Sequence, residues 1–243
     1  MLVKTEGIVL RTVRYGETSV IVQVFTAQFG IQSYLVNGVR SSRSRSARAN
    51  ILQPANMLEM VVYYSAQKKL QRISEFKLAF IYQDLYSNVV KNAIALYIVE
   101  LLHKSLSEPE PNPELYFFSA RSLQWLDQRP VVELSNLPLC FTLKAAGLLG
   151  FELDGKYSEH TPYFDLKEGE FVPEKSNDFT LGKEETRYTS QLLKIKDFGL
   201  LPVLKIPAKT RAYLLSAYLI FLKLHLPGFR ELRSPKILKD ILH

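Results

Sequence analysis

The stretch GIVLRTVRYGETSVIVQVFTAQFGIQSYLV, residues 7–36, decides the fold of the first third of the chain. It contains three runs rich in Val, Ile, Tyr and Phe, namely GIVLRTV, SVIVQVF and IQSYLV, and such runs are typical of β-strands. Between the last two runs, QFGIQ predicts a tight turn in which Gly30 supplies the permissive backbone. The stretch therefore predicts three short strands that follow one another closely.

The second run is apolar on both of its faces. Val22 and Val24 alternate with Ile21 and Phe25, which favours a closed or covered sheet. Two further runs, MLEMVVYY and KLQRISEF, follow before residue 77. Five strands in about 75 residues fit a small barrel of the oligonucleotide-binding (OB) type.

From about residue 77 the apolar residues recur at helical spacing. The patterns that predict helices are NVVKNAIALYIVELLHKSL, ELYFFSARSLQWLDQ, LPLCFTLKAAGLLG, RYTSQLLKI, TRAYLLSAYLIFLKLHL and SPKILKDIL. Residues 151–180 are polar and turn-rich, with two short β-like pieces, PYFDL and EFVP. We predict an α+β protein, with a five-stranded OB-fold barrel (residues 1–76), a mainly α-helical domain (residues 77–243) and a small β-hairpin excursion at residues 151–180.

The charge of the chain is concentrated in the predicted barrel. The net charge is +7, and residues 1–76 hold 10 Lys and Arg but only 4 Asp and Glu. A basic domain of this kind favours polyanionic partners such as nucleic acid.

Four arginines lie within nine residues in the segment RSSRSRSAR, residues 40–48. No carboxylate between Glu17 and Glu59 offsets their repulsion, whereas a phosphate backbone would relieve it, and guanidinium donors match phosphate oxygens. The alternative is a solvated loop. Because phosphate contacts give affinity rather than base choice, we expect little sequence specificity. The predicted DNA-binding residues are Lys4, Arg11, Arg14, Arg40, Arg43, Arg45, Arg48, Lys68, Lys69 and Arg72.

Other classes of protein fit the sequence poorly. The single cysteine, Cys140, lies in an apolar setting and excludes an intrachain disulfide, which suits a reducing cytosol. The longest apolar run, AYLLSAYLIFL, is shorter than the roughly 20 residues of a membrane span. Catalytic motifs are absent, and the four histidines lack metal-ligand spacing. We predict a cytoplasmic protein that is not an enzyme, with no catalytic residue, metal or cofactor.

Several stretches, in this order, resemble the RecO family of DNA repair proteins. They are GIVLRTVRYGETSVIVQVFTAQFG, VNGVRSSRSR, NILQP, AIALYIVELLHKSLSEPEPNPELY, LKAAGLLGFEL and YLIFLKLHLPGFRELRSPKIL. The resemblance implies an OB barrel followed by a helical domain, in a recombination mediator of the bacterial cytosol. Such proteins bind single- and double-stranded DNA and anneal complementary strands. With RecR, and in many species RecF, they load RecA onto DNA covered by single-strand-binding protein.

One departure from the family concerns zinc. Many members carry four zinc-binding cysteines after the stretch that resembles GFEL, whereas residues 151–180 contain none. Zinc of that type needs thiolates at fixed spacing, so we predict no zinc here. The hairpin must then be held by packing and hydrogen bonds, with Tyr163, Phe164, Phe171 and Val172 as the packing candidates.

The resemblance also implies contact with the acidic, apolar C-terminal tail of single-strand-binding protein. Such a tail needs an apolar pocket rimmed by Lys or Arg. The candidates are Lys205, Lys209, Arg211, Lys223, Arg230 and Arg233, although these charges could instead complement helix dipoles. Two other functions stay open on the residues alone, an RNA-binding barrel protein and a non-catalytic adaptor.

Overall fold

The computed structural model describes residues 1–39, 47–151, 153 and 155–242. The chain forms two compact units. The first comprises residues 1–86 and 99–127, and the second comprises residues 87–98 and 128–243.

The first unit contains a closed barrel of five strands. The strands are β1 (Leu2–Tyr15), β2 (Ser19–Thr26), β3 (Gly30–Val36), β4 (Met57–Tyr63) and β5 (Leu70–Leu78). They are hydrogen-bonded in the order β1-β2-β3-β5-β4, and β4 pairs back onto β1. The pairing of β3 with β5 is parallel and the other pairings are antiparallel. This topology is that of a five-stranded Greek-key barrel of the OB type, so the predicted fold is confirmed.

Strand β1 closes the barrel because it pairs with two partners. Its first half lies against β4 and its second half against β2. The register shifts between Val9 and Arg11, and such a bulge bends a strand. Before the bulge the exposed side chains are at even positions, whereas Arg11 and Val13 beyond it are exposed at odd positions.

The barrel interior is filled by alternate residues of the strands. Val22, Val24, Tyr34 and Val62 have no exposed surface and belong to one core cluster. Phe25 is also fully buried, and its ring meets the ring of Tyr116 edge-on at 5.8 Å between centroids. Tyr116 thus covers the outer face of β2 at Phe25. The sequence predicted a covered strand here because both faces of β2 are apolar.

The turn between β2 and β3 depends on glycine. Gly30 has a φ of +62°, in the left-handed region, and a Cβ atom there would lie 2.1 Å from the carbonyl oxygen of Glu110. The hydroxyl of Thr26 accepts a hydrogen bond from the Phe29 N–H at 3.0 Å, which closes the turn. Both the conformation and the close approach exclude a larger residue at this position.

The connection between β3 and β4 is partly helical. Helix α1 (Ala47–Ile51) lies where the sequence indicates a long loop, and the Asn56 side chain donates to the carbonyl oxygens of Asn50 and Ile51. Residues 40–46 lie outside the described residues.

Six longer helices follow. They are α2 (Val89–Ser105), α3 (Pro113–Gln128), α4 (Leu137–Leu148), α5 (Lys183–Leu193), α6 (Ala208–His225) and α7 (Ser234–Ile241). In the second unit, α4 packs against α5 and α6 and is buried on most sides. Cys140 lies on α4, where burial raises the pKa of its thiol to about 11, so the thiol is a poor nucleophile at neutral pH.

In the first unit, a buried carboxylate fixes the segment that follows the barrel. Asp127, 3% exposed, accepts hydrogen bonds from the backbone N–H groups of Gln83, Asp84 and Leu85 at 2.7–2.9 Å. Buried charges need such donors, so Asp127 sets the path of the chain beyond β5.

A small sheet interrupts the helices of the second unit. Its strands are β6 (Tyr163–Asp165), β7 (Glu170–Val172) and β8 (Thr180–Leu181), in the order β7-β6-β8. The predicted hairpin is therefore present, with a third strand added by the chain just before α5. Phe164 and Phe171 are buried with their ring centroids 5.0 Å apart.

Within the described part of the chain, none of the helices is long and apolar enough to cross a membrane.

Candidate nucleic-acid interface and partner groove

Cross-strand pairing places two arginines on one outer face of the barrel. Arg11, Gln23, Ser33 and Leu70 form one row across β1, β2, β3 and β5, because paired residues share a face. The neighbouring row consists of Val13, Ile21, Leu35 and Arg72. We call these two rows the β2–β3 face.

Arg11 and Arg72 lie at opposite edges of the β2–β3 face. Both are exposed, and three strand spacings, or about 14 Å, separate the edges. Polar and apolar side chains of moderate size, such as Ser33 and Ile21, lie between them. In OB folds the surface of strands 2 and 3 is the one that binds oligonucleotides.

The turn between β4 and β5 presents two more cations beside Arg72. Gln71, 2% exposed, accepts from the Ser65 N–H at 3.1 Å and donates to the carbonyl oxygens of Ser65 and Lys68 at 2.7 Å. These bonds hold the turn closed from inside, with Lys68 and Lys69 exposed on it. The sequence contains no pattern that predicts this role for Gln71.

The barrel contains aromatic residues that could stack on bases, and the structure shows which of them are exposed. Tyr15 and Tyr63 are about half exposed, at 52% and 55%. Phe25 and Tyr34 are buried in the core, and Phe29 stacks on Tyr64 at 3.9 Å between ring centroids. Tyr63 pairs directly with Arg72, so an exposed aromatic ring lies beside an exposed cation.

Lys4 lies apart from the β2–β3 face. It lines a cavity of about 840 Å³ together with Glu6, Glu59 and Glu75, where Lys77 is paired with Glu59 at 2.7 Å. The structure therefore places Lys4 among carboxylates and does not bring it together with Arg11.

The remaining predicted DNA-binding residues have separate locations. Arg14 is exposed at the end of β1, beside the β1–β2 turn. Arg48 lies on α1 with its guanidinium carbon 5.6 Å from the centroid of the Phe76 ring. The positions outside the described residues are Arg40, Arg43 and Arg45.

The second unit contains a groove with apolar walls and a basic rim. It has a volume of about 800 Å³ and lies between α6, α7 and the start of α4. The apolar walls include Leu139, Leu215, Leu219, Ile220, Phe229 and Leu232. Among the lining residues Glu231 is the acid, and the cations are Lys209, Arg211, Lys223, Lys236 and Lys239. We call this the α6–α7 groove.

Arg211 is a half-buried cation at the edge of this groove. Its guanidinium donates to the carbonyl oxygens of Ile206 at 2.6 Å and Leu242 at 3.1 Å. Among the described residues its Nε atom has no hydrogen-bond partner and no carboxylate lies in ion-pair range. Burial lowers the pKa of the Arg211 side chain from its ordinary value, which reflects the cost of removing this charge from water. An anionic group in the groove would offset that cost.

The other predicted partner-binding residues lie outside the groove. Lys205 lines a smaller cavity of about 290 Å³ that also borders Arg211. Arg230 and Arg233 line neither cavity. Sequence reasoning missed Lys236 and Lys239, although their spacing of three residues in SPKILKDIL places them on one side of a helix.

The small sheet does not fit the zinc module implied by the family resemblance. It has no cysteine, and the carboxylate of Asp165 is already occupied by hydrogen bonds. No group of three His, Cys, Asp or Glu that could hold a metal ion occurs within residues 1–39, 47–151, 153 and 155–242. The absence of zinc stays a prediction, which metal analysis of the purified protein tests.

Comparison with known proteins agrees with this architecture. The family profile described as recombination protein O N terminal matches residues 1–82, and the one described as recombination protein O C terminal matches residues 86–234. The chain is 31% identical over 241 residues to the DNA repair protein RecO of Flavobacterium psychrophilum. It is 32% identical to that of Flavobacterium johnsoniae and 30% identical to that of Christiangramia forsetii, each over 241 residues. Each match covers 99% of both chains.

Proposed function

The chain belongs to the RecO family of DNA repair and recombination proteins, and we propose that it anneals complementary DNA strands and helps to load RecA onto DNA coated with single-strand-binding protein. The observation that carries this proposal is the β2–β3 face, where Arg11 and Arg72 flank an exposed surface at the position that OB folds use for oligonucleotides. Residues 1–76 would bind DNA, and residues 77–243 would bind partner proteins.

Annealing needs no covalent chemistry from the protein, so we propose that the chain is not an enzyme. A basic surface neutralises the phosphates of two strands and leaves base pairing to decide which strands join. The exposed Tyr63 beside Arg72 offers a face on which an unpaired base can stack. RecR, in many species RecF, and indirectly RecA are the further partners that we propose, in the cytoplasm.

The test of this proposal is strand annealing. Complementary oligonucleotides, one of them labelled, are coated with the cognate single-strand-binding protein, and pairing is followed with and without this protein. We expect pairing to be faster with it. Unchanged pairing rates together with binding to single-strand-binding protein would favour an adaptor, and preference for matched RNA strands would favour an RNA-binding protein.

The location of the DNA-binding surface can be tested with two charge-matched variants of the barrel. Replacing Arg11 and Arg72 with Gln removes two phosphate contacts from the β2–β3 face. The slope of log affinity against log salt for single-stranded DNA should then flatten by about 1.4, and binding at 0.1 M salt should weaken by roughly 25-fold.

The control for this variant replaces Lys4 and Lys77 with Gln. It removes the same charge from the same barrel, but at the cavity that holds Glu6, Glu59 and Glu75. We expect its slope to stay within about 0.3 of the unmodified protein. Equal flattening by both variants would mean that the DNA does not lie on the β2–β3 face.

For the partner-binding domain we propose that the acidic, apolar tail of single-strand-binding protein docks in the α6–α7 groove. Apolar tail residues would contact the groove walls, and tail carboxylates would approach Arg211 and the rim lysines. The unpaired charge of Arg211 supports this placement, because a carboxylate supplies the counter-ion that the described residues do not.

A labelled peptide with the tail sequence tests the groove. Replacing Lys209 and Lys223 with Glu reverses two rim charges, and we expect peptide affinity to fall by about tenfold because these charges act through screened attraction. The matched variant replaces Arg230 and Arg233 with Glu, outside the groove. Equal losses in both variants, measured by fluorescence anisotropy at one salt concentration, would contradict the assignment.

A further inference from the structure

The bulge in β1 decides whether Arg11 lies on the β2–β3 face. Val9 and Arg11 pair with consecutive residues of β2, so Leu10 is the extra residue of the bulged strand. Leu10 is buried, and beyond it the outward positions change from even to odd numbers, which turns the side chain of Arg11 outward. Without the extra residue, Arg11 would take an inward position. The exposure of this predicted DNA-binding residue therefore depends on the groups that keep the bulge in place.

A loop at residues 52–56, which we call the bulge loop, contacts β1 on both sides of the bulge. Before the bulge, the N–H group and the carbonyl oxygen of Val9 both form hydrogen bonds to the loop backbone, at 2.9 and 2.8 Å. After the bulge, the Thr12 hydroxyl donates to the Leu52 carbonyl oxygen at 2.6 Å. Arg11 lies between these two attachments, so the loop fixes the part of the strand that carries it.

The bulge loop has a strained conformation that other groups must hold. Ala55 has a φ of +73°, in the left-handed region that residues other than glycine rarely adopt. Such a conformation persists only where the surrounding structure holds it. Two tyrosine hydroxyls provide hydrogen bonds here. Tyr82 donates to the Ala55 carbonyl oxygen at 2.8 Å. The Tyr86 hydroxyl lies 2.8 Å from Oδ1 of Asn56 and 3.0 Å from the carbonyl oxygen of Pro54, both of which are acceptors.

The bulge loop is also connected to helix α1 and to a buried anchor. The side chain of Asn56 donates to two carbonyl oxygens in the last turn of α1, the helix that carries the exposed Arg48. The segment just before Tyr86 is fixed by Asp127, which accepts from three of its backbone N–H groups. Tyr86 therefore joins a fixed segment of the chain to the loop that contacts both α1 and the bulge.

We propose that Tyr86 is a positioning residue for DNA binding, which keeps the bulge loop in place so that Arg11 points outward on the β2–β3 face. This inference rests on the proposed function, because it needs DNA at Arg11. Tyr86 is not among the predicted DNA-binding residues, and it acts through its hydroxyl and the loop rather than through a contact with DNA. Without the hydroxyl, two acceptors lose their donor, and the strain at Ala55 then favours other conformations of the loop.

The variant Tyr86→Phe tests this role because it removes the hydroxyl and keeps the ring. Binding of a labelled single-stranded oligothymidylate is measured across a salt series, and hydrogen exchange reports the protection of the Val9 and Ala55 N–H groups. We expect lower protection and a slope of log affinity against log salt that is flatter by about 0.7, the contribution of one phosphate contact. Binding at 0.1 M salt should weaken by about fivefold. Urea denaturation checks that each variant is folded.

Two further variants distinguish positioning from a general loss of stability. Tyr116→Phe removes a hydroxyl from the same compact unit, where it bonds to Glu6 at the cavity that holds Lys4. We expect its slope to stay within about 0.3 of that of the unmodified protein. Adding Ala55→Gly to Tyr86→Phe removes the strain in the bulge loop, because glycine adopts a positive φ freely. We expect this second change to restore the slope.

The possible outcomes separate this inference from the proposed function. The inference is overturned by an unchanged slope or unchanged protection in Tyr86→Phe, by equal flattening in Tyr116→Phe, or by failure of Ala55→Gly to restore the slope. Each of these results leaves DNA binding by the unmodified protein established. Absence of DNA binding by the unmodified protein at every salt concentration would instead remove the proposed function, and this inference with it.

Discussion

Replacing Arg40, Arg43, Arg45 and Arg48 with Ala should weaken the binding of single-stranded DNA on the order of several hundredfold at 0.1 M salt. Each phosphate contact contributes about 0.7 to the slope of log affinity against log salt, so four contacts contribute roughly 2.8. The four arginines lie within nine residues and have no carboxylate nearby in the sequence, so a phosphate backbone is the counter-charge that we propose for them. Fluorescence anisotropy of a labelled oligonucleotide across a salt series measures both quantities.

The control for the four-arginine variant removes four positive charges from the second unit. Lys167, Lys175, Lys194 and Lys196 are exposed there, and replacing them with Ala changes the net charge by the same amount. We expect this variant to keep the slope of the unmodified protein, because long-range attraction between exposed charges is screened beyond about 10 Å at 0.1 M salt. If the arginine variant also keeps that slope, the segment is a solvated loop and the barrel surface alone binds DNA.

Sequence reasoning predicted the barrel because its signal is local. Alternating apolar residues such as Val20, Val22 and Val24 mark strands wherever they pair, and Gly30 marks the turn. The five runs correspond to the five strands, and the topology follows from their number and spacing.

The surface of the barrel was less predictable because one bulge changes which side chains point outward. Lys4 precedes the register shift between Val9 and Arg11, and Arg11 follows it. The period of two in a strand is broken there, so Lys4 and Arg11 both point outward although an odd number of positions separates them. Their neighbours differ because Lys4 pairs with β4 and Arg11 pairs with β2. A bulge has no reliable signature in a single sequence, and the charge count alone could not separate these two residues.

Buried polar anchors were also missed, for a related reason. Asp127 accepts hydrogen bonds from backbone groups that lie 42–44 residues earlier in the chain. Gln71 stabilises a turn in which the sequence is polar, and polar residues in a turn ordinarily predict exposed side chains. A carboxylate in a helical pattern ordinarily predicts a solvated face. Only the tertiary structure shows which of these groups are enclosed.

Asp165 is the residue of the small sheet whose loss should have the largest effect on stability. It is 1% exposed, and its Oδ1 atom accepts from the backbone N–H groups of Lys167 and Glu168 at 2.8 and 3.2 Å. Its Oδ2 atom accepts from Ser176 at 2.9 Å and from Asn177 at 2.7 Å. These bonds join β6 to the two connections that follow it, in the part of the family fold where many members use zinc.

Replacing Asp165 with Asn should cost about 3 kcal/mol of unfolding free energy, because an amide NH₂ would face donors in a buried site. Urea denaturation measures the loss of unfolding free energy, and hydrogen exchange of residues 158–182 shows whether the loss arises in the small sheet. Asp178→Asn, at an exposed position of the same sheet region, is the matched control and should cost less than about 0.5 kcal/mol. Similar losses in both variants would contradict the role of Asp165.

The same carboxylate predicts how the small sheet responds to acid. Burial alone would raise the pKa of Asp165, but hydrogen bonds from Ser176, Lys167, Glu168 and Asn177 lower it below its ordinary value. A group with a lowered pKa in the folded state stabilises the protein above the pKa of the unfolded chain, and that contribution is lost as the pH falls through the folded value. Protection of this region against hydrogen exchange, taken relative to the intrinsic exchange rate at each pH, should therefore fall below about pH 4 in the unmodified protein, whereas Asp165→Asn should already have low protection at neutral pH. A sheet stabilised by zinc would instead lose its protection against exchange when a chelator is added at neutral pH. Protection that persists in the presence of a chelator would therefore support stabilisation by the hydrogen bonds of Asp165.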